Sequence, residues 1–528
     1  MPGEYKTVLI QTPVWGIYEP PFALSLLQGC LRSKGCEVRV FDMNIELYYS
    51  RPPQYDSTWA IEQSILWSSE EFVSEFFRTQ NDVIGNYLDN ILEYSPGIAG
   101  FSVNSASKFS SLRVAGLLKQ RNKDIKVIFG GHLFMIDDEV ETGSIMESSV
   151  VDYIVHGEGE TTFPLLIDLI SRDDDPQNCP GIVFRDTDGS IKRTAPAEPV
   201  KNLDELPFMD FSGLPMDLYE HPEWLGQHLS MQASRGCPWK CAFCGATTYW
   251  SGYRVMSGQR LHAEIKHHLA AFPHIEHIEF MDLLFNGKMR SLTDFCDRMI
   301  EDPPARSLKW HVNAIIRSEM TPEVLNKMAK AGCVRITYGI ESGSQRVLDL
   351  MKKNYKIKDA GKVLKATHEA GIMIKANFMF GFPGETESDF QMTLKFLEEN
   401  SEYINTAYPS FSFCVVEKNS YLGEHMDEFS IVPNPDDNLY WESADGLNDY
   451  PERMRRWETF SQCARSLGVD IGIGLNTSLE QHRWINLGYY YKSKGEYQKS
   501  LECFDNYLKF DTDNEAVISE IGAIKTKI

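Results

Sequence analysis

Long apolar runs are missing from this 528-residue sequence. No window approaches the roughly 18 apolar residues that a membrane-spanning helix needs. The opening stretch, MPGEYKTVLIQTPVWG, has neither the basic start nor the apolar core of a secretory leader, so a soluble cytoplasmic protein is expected. Positive charge is scarce as well: 52 Lys and Arg face 75 Asp and Glu, a formal net charge of −23. That argues against nucleic acid as the main partner, since phosphate contacts need cations; the acidic excess reads as a solubility device. Regular cysteine pairing is absent too. Of 11 cysteines, Cys30, Cys36, Cys179, Cys296, Cys333, Cys414, Cys463 and Cys503 sit singly, mostly among apolar neighbours, as buried free thiols do. Nothing here points to a disulfide framework. The length and a hydrophobic content of 42% leave room for roughly two to four domains.

The other three cysteines crowd into ASRGCPWKCAFCGATTYW, residues 233–250, as Cys237, Cys241 and Cys244 in a C-x3-C-x2-C array. Zinc sites usually close with four ligands, often two C-x2-C pairs, and no second pair follows. Three thiolates on one tight loop suit a 4Fe-4S cluster, which normally takes four cysteines. One iron then keeps an open position that can chelate a small molecule. Gly236 and Pro238 shape a turn, and Gly245 lets the backbone pass close to a bulky group. The preceding GQHLSMQAS alternates like a strand and ends at the loop.

Downstream, strand-like HIEHIEFMD, LKWHVNAII, CVRITYGIE, IMIKANFMFG and AYPSFSFCVV alternate with helical stretches such as TPEVLNKMAKAG and SDFQMTLKFLEEN. Alternating β and α segments predict a parallel β/α barrel or open sheet, with ligands at the C-terminal strand ends. There lie Asp282, Asn313, Arg317, Glu341, Ser342, Gly381, Gly384 and Glu385. Glu341 reads either as a carboxylate facing a cavity or as a helix cap. Arg317 reads either as a carboxylate holder or as half of a surface salt bridge.

The first 180 residues also alternate. KTVLIQTP, CEVRVFDMN, GIAGFSVNSAS, IKVIFGGHL and VDYIVHGEGETTF read as five strands of a doubly wound α/β sheet, with an aromatic-rich helical insertion at 51–94. Their ends carry Ser102, Asn104, Ser105, Gly130, Gly131, His132, Gly157, Glu158, Gly159 and Glu160. Small residues there let backbone approach a large flat ligand or a phosphate. No G-x-G-x-x-G follows the first strand, which rejects a nicotinamide domain.

C-x3-C-x2-C after a strand, GIESGS, GFPGET, the link LDELPFMDFSG and the N-terminal strand ends together resemble the cobalamin-dependent (class B) radical SAM family over roughly residues 5–425. The resemblance implies that Cys237, Cys241 and Cys244 ligate a 4Fe-4S cluster and are catalytic. It implies that S-adenosyl-L-methionine occupies the open iron and is cleaved to a 5′-deoxyadenosyl radical by an electron from a reductant such as flavodoxin or ferredoxin. Phe243 would touch the adenine. Asp282, Asn313, Arg317, Glu341, Ser342, Gly381 and Gly384 would contact S-adenosyl-L-methionine, and the N-terminal strand ends would hold cobalamin. No D-x-H-x-x-G occurs, so no histidine from that motif can ligate cobalt. His132 and His156 read as polar loop residues or as contacts to the corrin or its tail. The implied domains are a cobalamin-binding domain at 1–185, a linker at 186–228, a barrel at 229–425, a closing segment at 426–480 and helices at 481–528.

Those last helices, WINLGYYYKSKGEYQKSLECF, place Trp484, Leu487, Gly488 and Tyr491 in the tetratricopeptide pattern W-x2-L-G-x2-Y, which Ile521 and Gly522 begin to repeat. Too few repeats are present to stand alone. They are expected to cap the fold, or to bind a protein partner. The expected activity is methyl transfer to an unactivated centre of a small-molecule, lipid or peptide substrate. The alternatives are cyclisation or rearrangement without net methylation and, from another class, a non-catalytic cobalamin sensor. A sensor has no need of the three thiols. Methylthio transfer is disfavoured because no second cysteine group precedes the array.

Overall fold

The computed structural model describes residues 5–135, 139–222, 225–410, 413–435, 437–472 and 478–528. Contacts divide the chain into two compact units. One runs to Ala233 and includes Arg254–Glu279 and Pro304–Leu308; the other comprises Ser234–Tyr253, Phe280–Pro303 and Lys309–Ile528.

The first unit is built on strands β1 (Thr7–Gln11), β2 (Val38–Asp42), β3 (Ile98–Ser102), β4 (Lys126–Gly130) and β5 (Tyr153–Val155), in the sheet order β2-β1-β3-β4-β5. Their pairings are parallel. Near-continuous apolar strands such as TVLIQ, fully buried, are what a sheet covered on both faces requires. The order reverses at β1 and β3, and such a reversal opens a crevice at the carboxyl ends of the strands. Two further strands, β6 (Ile182–Arg185) and β7 (Ile191–Arg193), extend the sheet antiparallel. They lie where only a domain end and a linker were expected. The insertion at 51–94 is helical and buries Trp67 completely, its ring 4.9 Å from Trp59 and 5.0 Å from Phe76.

All six expected barrel strands are present, as His228–Met231, His277–Phe280, Lys309–Ala314, Cys333–Glu341, Met373–Phe378 and Thr406–Pro409, in one sheet that follows chain order; Cys333–Glu341 has its full expected extent and the others are shorter. Residues 411 and 412 of the expected last strand lie outside the described residues. In Lys309–Ala314 the apolar residues Trp310, Val312 and Ala314 recur at every second position and are buried, and Trp310 packs with Phe295, 5.5 Å between rings. Among the described residues, no helix is long and apolar enough to cross a membrane.

The C-terminal helices Leu479–Ser493, Tyr497–Tyr507 and Glu515–Lys525 share a small core of Phe504, Tyr507, Val517, Ile521 and Ile524. A Cβ at Gly488 would come within 2.5 Å of the Phe504 ring, so glycine there sets the close helix approach. Tyr490 anchors the group, stacking 5.3 Å from Tyr450 and donating to Glu442.

Asp42, at the end of β2, ties the first unit to its own later chain. It caps the next helix through Ile45 N and accepts 2.7 Å from Tyr219 Oη. Burial raises its carboxyl to about 6, against the lowering effect of these donors. A carboxyl raised on folding stabilises below its unfolded value, and that stabilisation is lost as pH rises through about 6. We expect Asp42→Asn, which keeps an acceptor without the charge, to gain about 3 kcal/mol relative to wild type between pH 4 and 8. Chemical denaturation across that range measures the difference; a constant difference with pH would refute it.

Candidate active site

The cysteine loop leaves the end of the first barrel strand and is fixed on both sides. Gly236 adopts φ +75°, and a Cβ there would lie 2.2 Å from Gly252 O, so only glycine fits. Ala242 N donates to Met351 O, and Leu422 N donates to Ala242 O, each at 2.8 Å. Gly245 N donates to Glu417 Oε2 at 3.0 Å, and a Cβ on Gly245 would strike that oxygen at 2.0 Å. Gly245 thus makes room for Glu417, where the sequence suggested room for a bulky group.

Cys237, Cys241 and Cys244 are half-buried free thiols. Burial raises all three, Cys241 to about 11; Cys244 adds to this at Cys237 and Cys241, Glu417 and Glu341 add to it at Cys244, and Lys353 pulls each back down. Among the described residues, they are not drawn within the 4.8 Å that one shared ion would require. Three spaced thiols beside a cation are a donor set that fits a cluster rather than a mononuclear metal.

Lys353 is the group that the sequence did not reveal. Its side chain is 6% exposed, and Nζ donates at 2.8 Å both to Gly339 O and to Glu341 Oε1. A Cβ on Gly339 would lie 2.6 Å from that carboxylate and 2.8 Å from Nζ. Glycine inside a strand signals close approach, and that was the available clue. The Lys352–Lys353 pair by itself looks like surface. Glu341 sits at φ +66°, beyond a register shift in its strand. A glutamate held in this left-handed region costs about 1–3 kcal/mol, a strain that clusters at functional sites.

The other residues singled out at the barrel strand ends divide. Phe243 is half-buried within the loop. Asn313 Nδ2 donates to Asp282 O at 3.0 Å, and Asp282 is buried. Arg317 donates to Asn286 O and Gly287 O, pairs with Glu319 at 2.7 Å and lies over the Trp239 ring. Its guanidinium braces a neighbouring loop. Ser342 Oγ is buried, 3.3 Å from Thr393 Oγ1, and accepts from Ser344 N. At GFPGET, Gly381 faces protein: a Cβ would meet Arg453 Cγ at 2.3 Å, and Asn448 Nδ2 donates to Gly381 O. Gly384 turns at φ +84° with its carbonyl taken by Arg346. Glu385 pairs with buried Arg456 at 2.8 Å, and burial raises it to about 7.

At the C-terminal edge of the first unit's sheet, Ser102, Asn104, Ser105, Gly130, Gly131, His132 and Gly157 lie on neighbouring strand ends. Asn104 and Ser107 bond reciprocally and open the next helix. Gly131, at φ +100°, packs against the β3 loop, a Cβ there falling 2.7 Å from Val103 N. Gly157, at φ +74°, has nothing within 4 Å of a Cβ and leaves open space at the edge. That space and the small polar edge residues fit a large ligand. Gly159 and Glu160 form the first turn of a helix. Glu158 is occupied structurally, pairing with Arg254 and accepting from Val200 N.

Comparison with known proteins places this geometry. Residues 231–397 match the radical SAM superfamily. An uncharacterized methyltransferase of Pyrococcus horikoshii is 26% identical over 350 residues, 65% of this chain and 71% of its own. The anaerobic magnesium-protoporphyrin IX monomethyl ester cyclase of Rubrivivax gelatinosus is 24% identical over 65% of this chain and 61% of its own. Among solved structures, the cobalamin-dependent S-adenosylmethionine radical enzyme OxsB, with aqua-cobalamin bound, aligns over 99% of this chain and 75% of its own, with TM-score 0.65 and 17% identity. The radical S-adenosylmethionine methyltransferase TsrM of Kitasatospora setae, with cobalamin and a 4Fe-4S cluster bound, covers 95% of this chain and 99% of its own, with TM-score 0.62 and 16% identity. The overall fold is therefore that of these enzymes.

The two loop glycines should respond differently. Gly236→Ala meets rigid backbone and a left-handed φ, costing the loop over about 2 kcal/mol, or about 30-fold in correctly formed loop. Gly245→Ala meets only the tip of Glu417, which can swing aside. Iron and sulfide content after anaerobic reconstitution should collapse in Gly236→Ala and largely persist in Gly245→Ala. Equal retention would refute the assignment.

Proposed function

With residues 231–397 a radical SAM domain, we propose that the chain is a cobalamin-dependent methyltransferase acting on an unactivated centre of a small-molecule, lipid or peptide substrate. The observation that carries the reading is the three-thiol loop set beside the Lys353–Glu341 pair at the barrel's strand ends. Cys237, Cys241 and Cys244 hold the 4Fe-4S cluster, which supplies the electron that cleaves S-adenosyl-L-methionine, while the corrinoid supplies the methyl group. Lys353 favours the thiolate forms that metal ligation needs. Glu341 presents a carboxylate able to accept from an amine or a ribose hydroxyl. Ser102, Ser105, His132 and the open face at Gly157 would hold the corrinoid. The methyltransferases among the relatives support transfer, and the cyclase among them keeps cyclisation as the second reading.

The two readings part without knowledge of the substrate. The protein, loaded anaerobically with hydroxocobalamin and reduced, is given S-adenosyl-L-methionine. A methyltransferase should yield both 5′-deoxyadenosine and S-adenosylhomocysteine, because a molecule cleaved at iron cannot also give its methyl to cobalt. 5′-Deoxyadenosine with only traces of S-adenosylhomocysteine would favour the cyclase. Alanine at Cys237, Cys241 or Cys244 should abolish 5′-deoxyadenosine and the cluster absorbance, and retention of either would overturn the assignment.

A further inference from the structure

Besides the cysteines, the first unit holds a group of side chains able to ligate a metal. It comprises Glu19 from the loop after β1, His228 from the first barrel strand and Glu279 from the second, all within the first unit. Their ligand atoms lie within 4.8 Å of one another. The chain brings them together rigidly. Asn44 holds the β1 loop, accepting from Trp15 N and donating to Gly16 O, and is itself held by Trp59 Nε1. Ile17 O accepts from Glu220 N at 2.9 Å, which fixes the loop two residues before Glu19. Gln227 O accepts from Glu276 N and His277 N, which fixes Glu279's strand beside His228's. His228 Nδ1 lies 3.1 Å from Gly226 O. A proton on Nδ1 donated to that carbonyl leaves Nε2 with the lone pair that a metal takes, the usual orienting device for ligating imidazoles.

We propose that Glu19, His228 and Glu279 form a binding site for one divalent first-row transition cation. Two carboxylates brought this close repel, and a cation shared with the imidazole would relieve that repulsion. Glu19 Oε2 is shut off from solvent, and no hydrogen-bond donor among the described residues reaches it. Burial, with Glu279 adding to it, raises the Glu19 carboxyl to about 8. One imidazole and two carboxylates suit manganese, iron or zinc; an all-oxygen set would suit calcium or magnesium. The neighbouring His221 ring, centred 5.7 Å from that of His228, lines the approach. Binding ties the loop after β1 to the first two barrel strands. The role is structural and leaves the cluster loop untouched.

The test uses the full-length protein with its cluster reconstituted. The iron of the cluster masks added iron, so Mn2+ is the probe. Free Mn2+ is counted by its six-line EPR signal, and Zn2+ is then added as competitor. The wild type should retain about one Mn2+ per chain, release it to Zn2+ and melt at higher temperature with it. The double variant Glu19→Gln with Glu279→Gln should lose that binding while its cluster absorbance stays unchanged. No retention by the wild type, or equal retention by the variant, would overturn the proposal in favour of a shared proton. If the variant fails to fold, wild-type crystals grown with Mn2+ decide: an anomalous peak among the three side chains supports the site, and its absence there refutes it. Neither result depends on S-adenosyl-L-methionine cleavage, so this proposal and the methyltransferase reading fail separately.

Discussion

The ion pair of Lys353 and Glu341 is the interaction on which the active site depends. Burial makes the three half-buried thiols resist ionisation, and the Glu341 carboxylate adds to this at Cys241 and Cys244. A single ammonium, 2.8 Å from a carboxylate and from Gly339 O, supplies the opposing field. Buried, this pair stabilises little against an apolar substitute, but losing one partner leaves a stranded charge worth about 3–5 kcal/mol. Its geometry accounts for local features that otherwise look unrelated. Gly339 must lack a side chain, Glu341 must turn left-handed, and Tyr355 must donate to Ile340 O to hold the strand end.

Around that pair, the cysteine loop is positioned by distant chain. Met351 and Leu422 hold Ala242, and Glu417 reaches back 172 residues to Gly245. The backbone of the loop is thereby set before any metal arrives, so ligation spends less on ordering the chain. The same economy holds at the fifth barrel strand, where Asn448, Arg453 and Arg456 from the late segment complete the turn at Gly381 and Glu385.

Strands were legible wherever alternation was. Lys309–Ala314 and Met373–Phe378 each read apolar on one face, and the three thiols declared themselves by spacing. The hairpin of β6 and β7 was missed, although Asp186 and Gly189 carried its turn chemistry in RDTDGS. Charge partnerships were the least legible part. Glu158 read as a ligand contact and pairs with Arg254; Arg317 read either as a carboxylate holder or as half of a surface salt bridge, and it pairs with Glu319 and two carbonyls. Such assignments depend on which distant residue arrives beside the side chain, and local pattern carries no trace of that. The tetratricopeptide pattern correctly placed a helix pair around Gly488, while the partner of that pair, Tyr450, lay outside the motif.

The pairing of Glu385 with Arg456 spans 71 residues of chain. Ribosomes add about 5–20 residues per second, so the carboxylate waits about 4–14 s for its partner during synthesis. Through that interval the fifth strand has been made, and Glu385 stays in water until the segment that buries and pairs it arrives.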